Sequence, residues 1–238
     1  MRSAVLLHGV MAKAETWWRI GPALEARGWQ VSAVDLPGHG RAPRLTGLAD
    51  LQAFSAQTAE RLPDRVDLLV GHSLGAVVAL ALAGRARALV LEDPPGALDG
   101  RDRLGLALGI EADSALVVRD RAALVARERA ANPGWADEDV EYAVDGIAAA
   151  DAKAVAAALR SPLRWDLLAL LAAVKQPVLL LAASDGRGSA LGGDRSAVRA
   201  LLPPGRFVEL DGGHCLHRDR PDEWLRAVTA FADEVIPA

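Results

Sequence analysis

Residues 71–75 are the part of the chain that most specifically predicts chemistry. They read Gly-His-Ser-Leu-Gly, where an apolar run ends and a helical pattern begins. A serine on a sharp strand-to-helix turn presents its hydroxyl above a sheet, and glycine two positions to either side lets strand and helix approach closely. The N–H groups of the following helix favour developing negative charge. We therefore interpret Ser73 as a nucleophile supported by Gly71 and Gly75, with the Leu74 amide as an oxyanion donor.

A second requirement is a general base, because a serine hydroxyl is a weak nucleophile near neutral pH. Of the five histidines, His214 stands in a loop with paired glycines directly after the last predicted strand, where its imidazole could reach over the sheet edge. We interpret His214 as this base. We expect His217 to be a surface neighbour, since most exposed polar residues have no catalytic part.

The carboxylate that would orient His214 has two candidates, each following a predicted strand. Asp185 follows the fifth apolar run and precedes a glycine-rich loop, residues 186–193, that could turn its carboxylate toward the histidine. Asp93 follows the fourth run, but the next two residues are prolines, which stiffen the backbone. A triad acid follows a strand and precedes the histidine in sequence, as both aspartates do. We prefer Asp185 and keep Asp93 as the alternative.

The first predicted strand ends in a sequence suited to a second oxyanion donor. It runs directly into His8, Gly9 and Val10. Glycine permits a tight turn that aims the Val10 amide at the serine, and His8 would brace that turn. The Val10 and Leu74 amides would then form the oxyanion hole together.

Six short apolar runs provide the strands that must position these residues. They are rich in Val or Leu, and they comprise residues 4–7, 31–34, 66–70, 88–91, 178–181 and 207–210. Such runs are typical of strands buried on both faces. Segments with helical spacing separate most of them, so we predict an α/β fold: a three-layer sandwich with a mostly or entirely parallel sheet of about six strands and helices on both faces. If strands two and three flank strand one, ligands would bind at that reversal of the sheet.

The alternation of strand and helix is interrupted once, between the fourth and fifth strands. Residues 97–165 have no strand signal and are rich in Ala, Leu, Arg and Asp. We interpret residues 97–165 as a helical cap over the site, and residues 1–96 with 166–238 as the core domain. Trp135 and Trp165, in or beside the cap, are candidates for lining a substrate pocket, although packing is the commoner role of tryptophan.

Composition argues against several classes of function. Lys plus Arg total 27 and Asp plus Glu total 31, a formal charge of -4, and no basic stretch suits a nucleic-acid backbone. Cys215 is the single cysteine, so we expect no disulfide and no cysteine-based metal cluster. The predicted acyl transfer implies no metal and no organic cofactor. No apolar run approaches the ~20 residues of a membrane-spanning helix, and the opening run is shorter than a signal-peptide core. We expect a cytoplasmic protein with a small-molecule substrate and neither nucleic-acid nor membrane partners.

Together these motifs resemble the α/β-hydrolase fold superfamily over the whole chain. The resemblance is carried by residues 7–9, 35–40 and 71–75, by Asp185 and by residues 213–214. It implies a nucleophile, an acid and a histidine in that order along the chain, an oxyanion hole beside the first strand, and a helical cap. The sequence differs from the family in beginning at a strand that normally follows an antiparallel hairpin, which predicts a smaller, entirely parallel sheet.

The predicted reaction is hydrolysis of a small or medium apolar carboxylic ester through an acyl-enzyme. Carbon–carbon bond hydrolases, lactonases, aminopeptidases and cofactor-free lyases of the superfamily share the triad and stay open as alternatives. Dehalogenases and epoxide hydrolases are disfavoured, because their elbow carries aspartate where Ser73 stands. A non-catalytic ligand-binding protein on the same scaffold is the alternative from another class. The sequence leaves open whether the protein is a monomer or a homodimer.

Overall fold

A single sheet of six parallel strands forms the centre of the computed structural model, which describes residues 1–45 and 49–236. The strand order is β2-β1-β3-β4-β5-β6. The strands are β1 (Arg2–Leu7), β2 (Trp29–Val34), β3 (Val66–His72), β4 (Ala86–Glu92), β5 (Val178–Ala183) and β6 (Phe207–Leu210). Each predicted apolar run lies within one of these strands, which confirms the predicted sheet. Residues 46–48 and 237–238, which our division into domains assigns to the core, lie outside the described residues.

The register of the sheet brings the carboxyl ends of β1, β3 and β4 together. Leu7 is paired with Gly71, and His72 with Glu92. Because β2 lies on one side of β1 and β3 on the other, the chain reverses direction across the sheet at β1, as predicted. Ligands of parallel sheets bind at such reversals. The loops that follow these three strands therefore meet at the edge where a site is expected.

Apolar side chains from helices cover both faces of the sheet. One buried cluster joins the sheet to Trp17, Ile20 and Trp224, and the other joins its opposite face to residues such as Leu80 and Leu167. This arrangement confirms the predicted three layers. The helices of the core are α1 (Ile20–Glu25), α2 (Leu51–Ala59), α3 (Leu74–Ala81), α8 (Leu167–Ala173), α9 (Arg195–Leu201), α10 (Leu216–Asp219) and α11 (Pro221–Val235). None of the helices in the described ranges is both long and apolar enough to span a bilayer.

Four helices occupy the segment that the sequence assigns to a cap. They are α4 (Gly100–Arg119), α5 (Arg121–Ala131), α6 (Asp137–Ala149) and α7 (Ala152–Arg160). Helix α6 passes directly over the loop that follows β1: a Cβ on Gly146 would lie 2.7 Å from the carbonyl oxygen of Met11. The absence of a side chain at Gly146 therefore lets the cap helix come into contact with the core beside the sheet edge.

Candidate active site

Ser73 is the single residue between the end of β3 and the start of α3. Its backbone angles are φ 53° and ψ -119°. A non-glycine residue with positive φ is strained, and such strain persists only where the surroundings enforce it. Here the Ser73 amide donates to the carbonyl oxygen of Glu92 at 2.9 Å, which extends the β3–β4 pairing into the turn.

The glycines around Ser73 are required by close backbone contacts. A Cβ on Gly71 would lie 2.2 Å from the carbonyl oxygen of Gly75, and one on Gly75 would lie 2.5 Å from the carbonyl oxygens of Leu7 and His8. Both distances are far below van der Waals contact, so any side chain would push strand and helix apart. The two glycines therefore allow strand β3, helix α3 and the end of β1 to pack closely together, as the sequence pattern predicts.

Asp93 is the carboxylate that contacts His214. The His214 Nδ1–H donates to Asp93 Oδ2 at 2.7 Å. The same carboxylate accepts hydrogen bonds from the Ala183 amide at 3.1 Å, the Ser189 hydroxyl at 2.7 Å and the Ala190 amide at 2.8 Å. Burial alone would raise the pKa of the Asp93 carboxyl, but its hydrogen bonds and the charge of His214 bring that pKa below its ordinary value. An ionised Asp93 fixes the imidazole with its Nε2 lone pair free to accept a proton.

Our preference for Asp185 as the partner of His214 is therefore wrong. The Asp185 side chain is 87% exposed, and its carboxylate lies 4.0 Å from Arg195. The glycine-rich loop after β5 does not turn Asp185 inward. It closes around Asp93 instead, which it contacts through residues 189–190. Asp93 itself has a φ of 41°, a left-handed conformation that Asp tolerates better than most residues, so the prolines after it do not prevent the inward turn.

The predicted oxyanion donors are Val10, in the loop after β1, and Leu74, the first residue of α3. Within residues 1–45 and 49–236, neither the Val10 nor the Leu74 amide donates a hydrogen bond to a protein acceptor. His8 fixes the loop after β1: its Nε2 accepts from the Leu36 amide at 2.9 Å, and its Nδ1–H donates to the Gly9 carbonyl at 2.7 Å. Burial lowers the pKa of His8 to about 3, so the ring is neutral in the tautomer that these contacts need.

Ser73 and His214 line one cavity of about 170 Å³ beneath the cap. Trp135 also lines it, whereas Trp165 is not among the lining residues and donates its Nε1–H to the carbonyl oxygen of Pro95 at 2.9 Å. The other lining residues are Val10, Met11, Ala12, Thr16, His72, Glu128, Ala143, Ile147, Cys215 and Arg218. A second, larger cavity of about 650 Å³ adjoins the first and shares Glu128, Trp135, His214 and Cys215 with it.

A strained serine, an imidazole oriented by a carboxylate and two free amides are the parts required for acyl transfer. The family model that describes the alpha/beta hydrolase family matches residues 4–228. The chain belongs to the alpha/beta hydrolase family. Within the part of the chain that the structure describes, no group of three His, Cys, Asp or Glu side chains is arranged to hold a metal ion. That this hydrolase works without a metal remains a prediction.

Curated relatives of this alpha/beta hydrolase match it over about a third of its length. A pimeloyl-[acyl-carrier protein] methyl ester esterase of Neisseria meningitidis serogroup A is 41% identical over 85 residues, which is 36% of this chain and 26% of that protein. Methylesterase 3 of Arabidopsis thaliana is 39% identical over 85 residues, which is 33% of this chain and 32% of that protein. The matched region spans less than a third of either relative.

Solved structures of similar fold cover nearly the whole hydrolase. A hydrolase from Pseudomonas aeruginosa PA01 is 21% identical, with a TM-score of 0.72, over 97% of this chain and 89% of that one. A thermophilic esterase from Thermogutta terrifontis is 21% identical, with a TM-score of 0.74, over 99% of this chain and 90% of that one. At this level of identity, the likeness supports the fold alone.

His217, which we expected on the surface, is buried behind the catalytic edge of this hydrolase at 3% exposure. Its Nδ1–H donates to Glu92 Oε1 at 2.7 Å, and its Nε2 accepts from the Thr16 hydroxyl at 2.9 Å. The other oxygen of Glu92 accepts from the indole of Trp224 at 2.8 Å. Burial lowers the pKa of His217 and raises the pKa of Glu92. The sequence signal that could have identified this buried carboxylate is the position of Glu92 at the end of an apolar strand, directly before Asp93.

His72, inside the nucleophile turn, positions the loop that carries His214. Its Nε2–H donates to the carbonyl oxygen of His214 at 3.0 Å, and the centroids of the two rings are 4.7 Å apart. Burial holds the pKa of His72 well below its ordinary value, so the ring is neutral near pH 7. The elbow therefore contributes both the serine and a hydrogen bond that fixes the backbone of the histidine loop.

Arg218 is a residue of this site that sequence reasoning missed. It is 5% exposed, and it lines the cavity that contains Ser73. Its Nη2 and Nε donate to the Thr16 hydroxyl at 2.7 and 3.2 Å, and its guanidinium lies 4.5 Å from the ring centroid of Trp135. The indole of Trp135 in turn donates to Asp219 at 2.6 Å. No local pattern around Arg218 distinguishes it from the many exposed arginines of the chain.

Proposed function

We propose that this protein is a serine hydrolase that cleaves carboxylic esters through an acyl-enzyme. The observation that carries the proposal is the pairing of His214 with the buried Asp93 beside a strained Ser73 in one cavity. Ser73 Oγ forms a bond to the acyl carbon while His214 Nε2 accepts the hydroxyl proton. The amides of Val10 and Leu74 donate hydrogen bonds to the oxyanion that develops.

The second half of the proposed reaction uses the same groups in reverse. His214 returns its proton to the leaving alcohol as the ester C–O bond breaks, and Asp93 stabilises the transient imidazolium. Water then attacks the acyl-enzyme with His214 as its base, which releases the acid and restores Ser73. Because these residues supply a nucleophile, a base and hydrogen-bond donors for the oxyanion, the proposed reaction needs neither a metal nor an organic cofactor.

An ester is favoured as the substrate for two reasons. An alcohol is easier to expel from the tetrahedral intermediate than an amine, and the matched curated relatives include proteins named methyl ester esterase and methylesterase. The cavity at Ser73 is small, which suits a short acyl chain. A cytoplasmic location belongs to the same proposal and rests on the single cysteine, Cys215, which fits a reducing compartment.

Covalent labelling with a fluorophosphonate tests the proposal. The reagent mimics the tetrahedral intermediate, so we expect one label per chain on Ser73, located by peptide mass spectrometry. Ser73→Ala should abolish labelling, whereas Ser196→Ala, a change at an exposed serine of α9, should leave it unchanged. No labelling of well-folded protein would favour the non-catalytic ligand-binding alternative.

A matched set of small substrates separates ester hydrolysis from the alternatives that share the triad. Methyl butyrate, a five-membered lactone and butyramide present the acyl group with different leaving groups. We expect the methyl ester to give the highest kcat/KM of the three. A higher kcat/KM for the lactone or the amide would replace the ester assignment and leave the nucleophile in place.

A further inference from the structure

Arg218 is a buried cation without a carboxylate partner in the active-site cavity. Among the described residues, no carboxylate oxygen lies within 4.0 Å of its guanidinium. The two nearby acids are engaged elsewhere: Glu128, which also lines the cavity, pairs with Arg127 at 2.9 Å, and Asp219 accepts from Trp135 and from the Gly213 amide. Burying a charge without a counter-ion is costly, so this arrangement calls for a physical reason.

The free donors of Arg218 are available to the cavity. A guanidinium has five N–H donors, and the contacts to Thr16 use only the Nε and Nη2 groups. Nη1 makes no hydrogen bond within the described residues, and it is not one of the unpaired polar side-chain atoms that are fully buried. A planar cation with free N–H groups matches the geometry of a carboxylate, which it binds through two parallel hydrogen bonds.

Neighbouring groups fix Arg218 without neutralising its charge. Thr16 anchors one edge of the guanidinium, and the Trp135 ring supports its face. Burial, and to a smaller extent the charge of Arg218 itself, lowers the pKa of both His72 and His217, so both rings are neutral near pH 7. A preorganised cation of this kind loses little conformational entropy when an anion binds.

The two adjoining cavities assign a direction to the substrate. His214 lines both, and in the proposed reaction it delivers a proton to the leaving alcohol. Ser73 and Arg218 line the small cavity and not the larger one, so we place the acyl chain in the small cavity and the leaving alcohol toward the larger. At about 170 Å³ the cavity at Ser73 is much smaller than its neighbour of about 650 Å³, which favours a short acyl chain.

We propose that Arg218 binds a carboxylate on the acyl chain, so that the substrates are monoesters of short dicarboxylic acids. This inference rests on the proposed ester hydrolysis and specifies its substrate class. It modifies the expectation of an apolar ester, because a buried cation lines the cavity together with apolar side chains such as Met11 and Ile147. Binding is noncovalent, and the carboxylate keeps its charge throughout the reaction.

Two esters of nearly equal shape test this proposal. Monomethyl succinate carries a carboxylate where methyl levulinate carries a methyl ketone, so the pair differs mainly in charge. We expect wild-type protein to hydrolyse monomethyl succinate with the higher kcat/KM. Arg218→Met should lower kcat/KM for monomethyl succinate by about 10- to 100-fold and for methyl levulinate by less than about 3-fold, the range expected for a hydrogen bond to a charged group.

Two further variants serve as controls. Arg218→Lys keeps the positive charge but loses the paired donors, so it should recover part of the preference for the charged ester. Arg187→Met removes a cation that lies in the larger cavity and is paired with Asp211 at 3.0 Å, and it should leave the preference unchanged. If Arg218→Met does not fold, the wild-type preference and the Arg218→Lys variant still decide the outcome.

Binding to Ser73→Ala protein separates failure of this inference from failure of the proposed function. Calorimetry with this variant measures the two esters without turnover, and monomethyl succinate should bind more tightly than methyl levulinate. Equal binding of the two esters, or equal loss of both activities in Arg218→Met, would overturn the role of Arg218 even if Ser73 is labelled by fluorophosphonate. Preferential binding without hydrolysis and without labelling would support the carboxylate site and refute the hydrolase.

Discussion

Substitution of Asp93 by asparagine tests which carboxylate orients the imidazole. The change removes one negative charge and places an amide N–H₂ among four hydrogen-bond donors, two of them from Ser189 and Ala190. If the asparagine N–H₂ replaces Oδ2, it faces the Ala190 amide and is accepted only by the wrong tautomer of His214. If it replaces Oδ1, it faces the Ala183 amide and the Ser189 hydroxyl. We expect kcat/KM to fall by about 10² to 10⁴, which corresponds to about 3–5 kcal/mol of transition-state stabilisation.

The same substitution should reduce stability by a smaller and separable amount. One donor left without an acceptor in this buried position costs about 1–3 kcal/mol of the free energy of unfolding. For a domain of this size, that loss lowers Tm by about 2–12 °C. The protein should stay folded at 25 °C, so the fall in activity would report on catalysis and not on unfolding.

Asp185→Asn is the matched control. Its carboxylate is exposed and touches only the edge of Arg195, so we expect kcat/KM within about 2-fold of wild type and Tm within about 1 °C. The assays are ester hydrolysis, the rate of fluorophosphonate labelling of Ser73 and calorimetric unfolding. A loss of about 10² or more in Asp185→Asn, with Asp93→Asn near wild type, would refute the assignment of Asp93.

Three other predictions follow from the geometry. Gly71→Ala should lower the free energy of unfolding by about 3 kcal/mol or more, because its Cβ meets backbone at 2.2 Å, whereas Gly84→Ala, with nothing within 4 Å, should be nearly neutral in a urea titration. Trp135→Ala should change acyl selectivity more than Tm, while Trp165→Ala should lower stability by about 3 kcal/mol and reduce activity equally on all esters; the reverse pattern would exchange their roles. Acid should unfold the protein, because buried histidines with lowered pKa take up protons only in the unfolded chain: their stabilising contribution is complete above pH 6.5 and is lost as pH falls toward their folded pKa values. Four buried histidines have a lowered pKa, namely His8, His39, His72 and His217. His8, His72 and His217 alone would reduce the free energy of unfolding by up to about 6 kcal/mol at pH 5, and an unchanged urea midpoint between pH 7 and pH 5 would contradict this.

The sequence predicted the sheet and the nucleophile turn because both depend on neighbouring residues. Apolar runs of four to seven residues are buried on both faces wherever they pair, so their number and order were sufficient for the architecture. The strain at Ser73 and the contact of Gly71 with the Gly75 carbonyl arise within one turn of chain, whereas Gly75 also faces the carbonyl oxygens of Leu7 and His8 at the end of β1. His214 was found because one histidine alone followed the last strand after paired glycines.

The choice between Asp93 and Asp185 was decided only by the tertiary structure. The two residues follow neighbouring strands, and their different local sequences do not show which is buried; the loop that donates hydrogen bonds determines which carboxylate is buried. That loop follows β5, the strand after which Asp185 itself lies, yet it closes on the residue after β4. Its path depends on strand pairing and on packing against the histidine loop, neither of which is encoded near either aspartate.

The tertiary structure also decided the charge of the cavity. Glu92 and His217 are far apart in sequence and are buried together only because α10 packs behind the ends of β4 and β5. Arg218, the next residue after His217, is held in the cavity by contacts with Thr16 and Trp135. Thr16 lies near the opposite end of the chain, and Trp135 belongs to the cap segment. The sequence thus indicates the candidate nucleophile and base, because they stand in short motifs, whereas the acid and the proposed carboxylate subsite depend on long-range packing that sequence patterns do not record.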